Sequence, residues 1–168
     1  QSIIQKPDLH LVFKNIKSLN LFNYKSTKTS KISLTIENTQ IDKLPRFEKG
    51  EWWIQDYSSM LPILLTPNMN NKQIIDMCAA PGGKTFQLLS QNANLDIVEI
   101  NPLRANVLKE NLNRLKYTNK IHIKDSLKIN ENKKYDIVLI DAPCSSIGTI
   151  RRNPEIFFRN NSPNFEQL

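Results

Sequence analysis

IIDMCAAPGGKT, residues 74 to 85, passes from an apolar pair into a turn holding Pro81, Gly82 and Gly83 and then into TFQLLSQ, which reads as a helix. A strand, a turn of small residues and a helix is the local pattern by which α/β sheets hold ligands. Small side chains let the backbone come close, and the amides behind the turn donate to negative groups. A plain strand-to-helix connection is the bland alternative, so the rest of the chain has to decide.

Downstream, apolar runs alternate with helical stretches: KQIIDM, TFQLLSQ, LDIVEI, a helix, KIHIK and YDIVLID. Such alternation predicts βαβ units and a parallel sheet. The helix after LDIVEI is the best defined, with Asn101 as its N-cap, Pro102 in its first turn, and Leu103, Val107, Leu108, Leu112 and Leu115 expected on one apolar face.

Two ligand readings of the turn compete. The phosphate-loop pattern GxxxxGK[ST] is met by Gly83, Lys84 and Thr85, but Cys78 stands where its first glycine belongs. Glu99 ends the second strand, sixteen residues beyond Gly83. A doubly wound fold places a carboxylate there to accept from ribose hydroxyls, which an adenosyl cofactor explains and a phosphate loop does not. Asp125 and Asp141 end the third and fourth runs, so with Asp76 four acids are expected at one sheet edge.

Ahead of this region, LHLVF and KISLTIEN read as strands, the second alternating Ile32, Leu34 and Ile36 against Ser33 and Thr35. A polar stretch, NTQIDKLPRFEKGE, separates them from the alternating region, and the boundary is expected at residue 43. Up to Lys31 there are six lysines and one acid, Asp8, which is five of the chain's seven net positive charges. With a pI near 9.4 this suits a polyanionic partner, although a Lys-, Asn- and Ile-rich composition also raises charge without function. The apolar runs are far shorter than a membrane span, and two cysteines in 168 residues fit a reducing compartment, so a cytoplasmic protein is expected. Trp52 and Trp53 are read as packing residues.

Together, DMCAAPGGKT, Glu99, Asp125, DAPCSSIGTIRRNPEI and the upstream FEKGEWWIQDYSS resemble the S-adenosylmethionine-dependent RNA cytosine-C5 methyltransferases, in particular the bacterial RsmB/Sun group acting on 16S ribosomal RNA. The resemblance runs from about Phe47 to Ile156. It implies a Rossmann-like class I methyltransferase fold over residues 44–168, doubly wound and cut after about the fourth strand. Residues 1–43 then form part of a small α+β RNA-binding subdomain. It also implies S-adenosylmethionine as cofactor, RNA as partner, no metal and a monomer. By position, Cys78, Ala79, Ala80, Pro81, Gly82, Gly83 and Lys84 would line the cofactor's methionine end. Glu99 would hold the ribose, Asp125 would lie beside the adenine, and Asp141 near the amino group and the target base. The family usually has Asp where this chain has Glu99.

Cytosine C5 is a poor nucleophile, and thiolate attack at C6 makes it enamine-like. A nearby cation helps form a thiolate, and Arg151 and Arg152 are candidates for that or for RNA phosphates. By this chemistry Cys144 is the nucleophile, because Cys78 belongs to the turn. The resemblance implies otherwise: the thiol of Pro143-Cys144 assists product release, and a second cysteine, one strand further on, attacks the base. No cysteine follows Cys144, and the chain begins at Gln1 rather than Met, so a fragment is expected. Its strands would be 3-2-1-4 of a seven-stranded sheet, with the fourth left as an apolar edge. Two other readings stay open: a phosphate-loop nucleotide hydrolase, and an RNA-binding fragment without catalysis.

Overall fold

The computed structural model describes residues 7–129, 132–144, 147–149 and 152–158. Leu9–Phe13 (β1), Thr27–Lys28 (β2), Ser33–Ile36 (β3) and Trp52–Ile54 (β4) pair as an antiparallel sheet in the order β2-β3-β1-β4. The boundary expected at residue 43 falls between β3 and β4 of this one sheet. A short helix, Ile16–Asn20 (α1), follows β1, and the Asn15 side chain caps it by accepting from the Ser18 amide at 2.9 Å.

Alternating side chains make the central strand serve two cores. Leu9, Leu11 and Phe13 of β1 join Phe22, Leu34 and Trp52 on one face, while Val12 and Trp53 pack with Met60, Ile74 and Phe86 on the other. Each such buried side chain stabilises the fold by about 1.5–3 kcal/mol. Both tryptophans are therefore packing residues, as expected. Ser33 departs from the alternation forecast: it is wholly buried, because Thr29 and Ser30 place their hydroxyls 2.9 and 2.6 Å from its own.

After Tyr57–Leu64 (α2), the chain forms Gln73–Asp76 (β5), Gly83–Leu89 (α3), Asn94–Glu99 (β6), Pro102–Arg114 (α4), Ile121–Ile123 (β7) and Ile137–Leu139 (β8). The four strands are parallel, with Ile74 opposite Leu95 and Ile137, and Ile97 opposite Ile121. Their order, β7-β6-β5-β8, is the 3-2-1-4 arrangement that the family resemblance implies. Among the described residues β8 pairs with β5 alone, and Val138 is exposed, as an edge strand requires.

Helix α4 begins as expected, with Asn101 Oδ1 accepting from the Leu103 and Arg104 amides at 2.9 and 3.2 Å. Its apolar face is different. Ala105, Leu108, Leu112 and Leu115 are buried, whereas Leu103 is 76% and Val107 48% exposed. At about 100° per residue, Leu103 and Val107 lie roughly opposite Ala105 on the helix, so they cannot share its buried stripe.

Polar contacts fasten the two sheets together. The Trp53 indole donates to Gln55 Oε1 at 2.9 Å, Gln55 Nε2 donates to Gln87 Oε1 at 3.1 Å, and Gln87 Nε2 donates to the Met60 carbonyl at 3.1 Å. Arg114, at the end of α4, donates to the Phe47 and Trp52 carbonyls at 3.1 and 3.2 Å. Gly50 permits this approach: at φ +67° its backbone lies so near that a Cβ would fall 1.8 Å from the Arg114 carbonyl oxygen.

Candidate active site

The turn after β5 is held by its neighbours rather than by itself. The Ala80 amide donates to Glu99 Oε2 at 3.2 Å, and the Asn101 amide donates to Glu99 Oε1 at 3.0 Å. Arg104 and Asn111 of α4 reach back to the Ala80 and Pro81 carbonyls at 2.5 and 3.2 Å. Gly82 then takes φ +115° and presses on the core, where a Cβ would lie 2.1 Å from the Phe86 ring and 2.7 Å from Leu108. Gly83 is less constrained, since a Cβ there would meet the Gln55 side chain at 3.4 Å.

A cleft of about 230 Å³ opens between this turn, the β4–α2 corner and the chain leaving β8. Of the site residues expected from the sequence, Cys78, Ala79, Ala80, Pro81, Gly83 and Lys84 line it from the turn. Asp141 and Arg152 line it from the far side. Lys84 Nζ donates to Asp141 Oδ2 at 2.6 Å and to Ser59 Oγ at 3.1 Å. Arg152 is ion-paired with Asp56.

Four expected residues lie elsewhere. Gly82 serves the turn's backbone and packing. Glu99 is 1% exposed beneath the turn, and its visible work is to hold the Ala80 and Asn101 amides. Asp125 caps its own short turn, accepting from the Leu127 amide at 3.0 Å. Cys144 is exposed beyond Asp141 and is not part of the cleft lining. Arg151 lies outside the described residues.

The cleft also contains Gln55, Asp56 and Ser59, which the sequence did not assign to a site, and Asp76, expected there only as one of four acids at the sheet edge. The first three belong to QDYSS, whose likeness to the family was the available signal, but only folding shows that it borders the turn. Asp76 is 1% exposed, and one of its oxygens accepts from the Thr85 hydroxyl at 2.7 Å. Burial pushes its carboxyl up to about 6, with Asp141 adding to the rise and Thr85 and Lys84 opposing it. Burial, reinforced by Glu99 and Asp76 and opposed by Arg104, likewise raises the Cys78 thiol, which disfavours the thiolate.

These groups fit an adenosyl amino-acid cofactor. The turn presents small side chains, Lys84 supplies a cation, and among the described residues Asp76 Oδ1 is buried without a hydrogen-bond partner at the cleft. A parallel sheet in this order, with a small-residue turn after its first strand and an acid ending its second, is the Rossmann-like fold of S-adenosylmethionine-dependent methyltransferases.

A family model described as 16S rRNA methyltransferase RsmB/F matches residues 62–168, and the chain belongs to that family. The assignment removes the nucleotide-hydrolase reading. Ribosomal RNA small subunit methyltransferase B of Proteus mirabilis is 38% identical over 130 residues, covering 74% of this chain and 31% of that protein. The chain thus spans about a third of the length of the curated relatives it matches. A solved methyltransferase homolog protein from Pyrococcus horikoshii superposes with a TM-score of 0.73 at 27% identity, over 90% of this chain and 55% of that one. NSun6 from the same organism, solved with SFG, gives 0.58 at 31% identity, over 68% and 32%. Among the described residues no helix is long and apolar enough to cross a membrane.

Proposed function

We propose that this chain is the cofactor-binding part of a cytoplasmic enzyme that transfers a methyl group from S-adenosylmethionine to C5 of a cytosine in 16S ribosomal RNA. The observation that carries the reading is the convergence of the Cys78–Lys84 turn, Asp76 and Asp141 on one cleft at the carboxyl edge of the parallel sheet, in a chain of the RsmB/F family. When bound, the cofactor supplies an electrophilic methyl group on a sulfonium.

The groups at the cleft, and Glu99, Asp125 and Cys144 outside its lining, then each have a part. Cys78 to Lys84 cradle the amino-acid end, with Lys84 as the cation for its carboxylate. Glu99 keeps acceptor capacity beyond its two amide bonds for ribose hydroxyls, and Asp125 borders the adenine. Asp141 orients the amino group and the base. A cysteine outside this chain attacks C6, and Cys144, exposed three residues after Asp141, assists release of the methylated base. The antiparallel sheet, with its lysine-rich front, contacts RNA. Arg152 joins that contact only if its pair with Asp56 opens.

Methyl-labelled cofactor and unmethylated 16S rRNA, incubated with the full-length protein and digested to nucleosides, test the proposal. Label in 5-methylcytidine is expected, and its loss in Asp141→Ala. Label in adenosine alone, or in no nucleoside, overturns it.

A further inference from the structure

Among the described residues Asp76 sits at the cleft without a counter-ion of its own. Among the described residues, Asp76 Oδ1 is a buried carboxylate oxygen with no hydrogen-bond partner, while its other oxygen holds the Thr85 hydroxyl of α3. Charges approach it from each neighbouring element. From α3, Lys84 is already bound to Asp141 and Ser59. From beyond β8 comes Asp141 itself, and from β6 comes Glu99, tied to the Ala80 and Asn101 amides and 3.9 Å from Arg104. At the β4–α2 corner Arg152 is committed to Asp56. Among the described residues each nearby cation therefore has an acid already, and Asp76 is left over. A buried carboxylate in that position resists ionisation, so below about pH 6 it keeps its proton until positive charge arrives.

We propose that Asp76 is the proton-linked counter-ion of the cleft, becoming a carboxylate as a positively charged ligand enters and releasing its proton to solvent. The O–H bond breaks, the electron pair stays on Asp76, and the buffer takes the proton. The inference rests on the cofactor reading above for the ligand: S-adenosylmethionine carries an ammonium and a sulfonium against one carboxylate. A ligand that binds the ionised form lowers the pH at which Asp76 ionises. Affinity then climbs with pH, by at most about tenfold per unit, and levels off above the free protein's titration near 6.

Titration calorimetry of S-adenosylmethionine into the full-length protein, in buffers of different ionisation enthalpy, reads the proton directly. At about pH 5 release approaching one proton per bound ligand is expected, and at about pH 7.5 almost none. Asp76→Asn keeps an acceptor for Thr85 but has no proton to lose. Its binding is expected to show no such release at about pH 5 and to be roughly tenfold weaker than wild type at neutral pH. Binding by wild type with no buffer-dependent heat at about pH 5 overturns the inference and leaves the cofactor reading standing, as does release that persists in Asp76→Asn. Absence of binding at every pH sinks the cofactor reading itself. If Asp76→Asn does not fold, the wild-type buffer series alone decides.

Discussion

Lys84 Nζ lies 2.6 Å from Asp141 Oδ2, tying the first turn of α3 to the chain just beyond β8, 57 residues later. Both residues line the cleft, so the pair links its two sides. Because Asp141 is well exposed, the bond itself adds at most about 1 kcal/mol to stability. Lys84→Ala is therefore expected to leave the urea midpoint nearly unchanged. It should weaken S-adenosylmethionine binding roughly tenfold or more, measured by calorimetry.

The two glycines of the turn should respond differently to alanine. Gly82→Ala forces a Cβ to within 2.1 Å of Phe86 at a left-handed φ of +115°, and a loss of about 1–3 kcal/mol is expected in denaturant unfolding. At Gly83 the nearest atom is Gln55 Cγ at 3.4 Å, so Gly83→Ala should fold with little loss.

Glu99→Gln tests the support beneath the turn. Two backbone amides point at the carboxylate, and an amide side chain can present only one acceptor to them, leaving donor facing donor. A destabilisation of about 1–3 kcal/mol is expected even without ligand, read from the unfolding midpoint.

Asp76 also sets a pH dependence of stability. Its folded value of about 6 lies above the ordinary 3.8, so between those limits the native state holds more protons than the unfolded chain. Stability from this group is therefore present at low pH and lost as pH rises through about 6, by up to about 3 kcal/mol. Asp76→Asn should remove that slope and raise the neutral-pH melting temperature, as measured by thermal unfolding across pH.

Gln87→Leu breaks the buried chain that runs from the Trp53 indole through Gln55 to α3. It leaves Gln55 Nε2 with only its 3.3 Å contact to the Ser59 carbonyl, and a cost of about 1–3 kcal/mol is expected. Tryptophan fluorescence during unfolding reports it, because Trp53 donates into the same chain.

Much of the frame could be read along the chain. The Asn101 cap, the parallel pairing and the turn at Cys78–Lys84 depend on local patterns, namely capping chemistry, alternating elements and small residues, and all three appear as expected, whereas the strand order is implied by the family resemblance. The structure differs where residue type alone does not fix the phase of an element. Leu103 and Val107 are apolar, but helical rotation turns them away from the sheet. Ser33 is polar, but two neighbouring hydroxyls bury it at no hydrogen-bond loss.

By itself, the sequence determined the parallel sheet, the position of the ligand turn within it, and the acids that end its strands, because each arises from periodicity and residue type over a few positions. Only the tertiary structure decided what those acids do. Among the described residues Glu99 and Asp125 spend their visible hydrogen bonds on backbone amides, Asp141 is joined to Lys84, and Asp76 is buried without a counter-ion. Charge pairing and burial depend on distances between segments far apart in the chain, which no local pattern records. For the same reason, Ser59 and Gln55 reach the cleft only once β4 has joined the first sheet and laid α2 against α3.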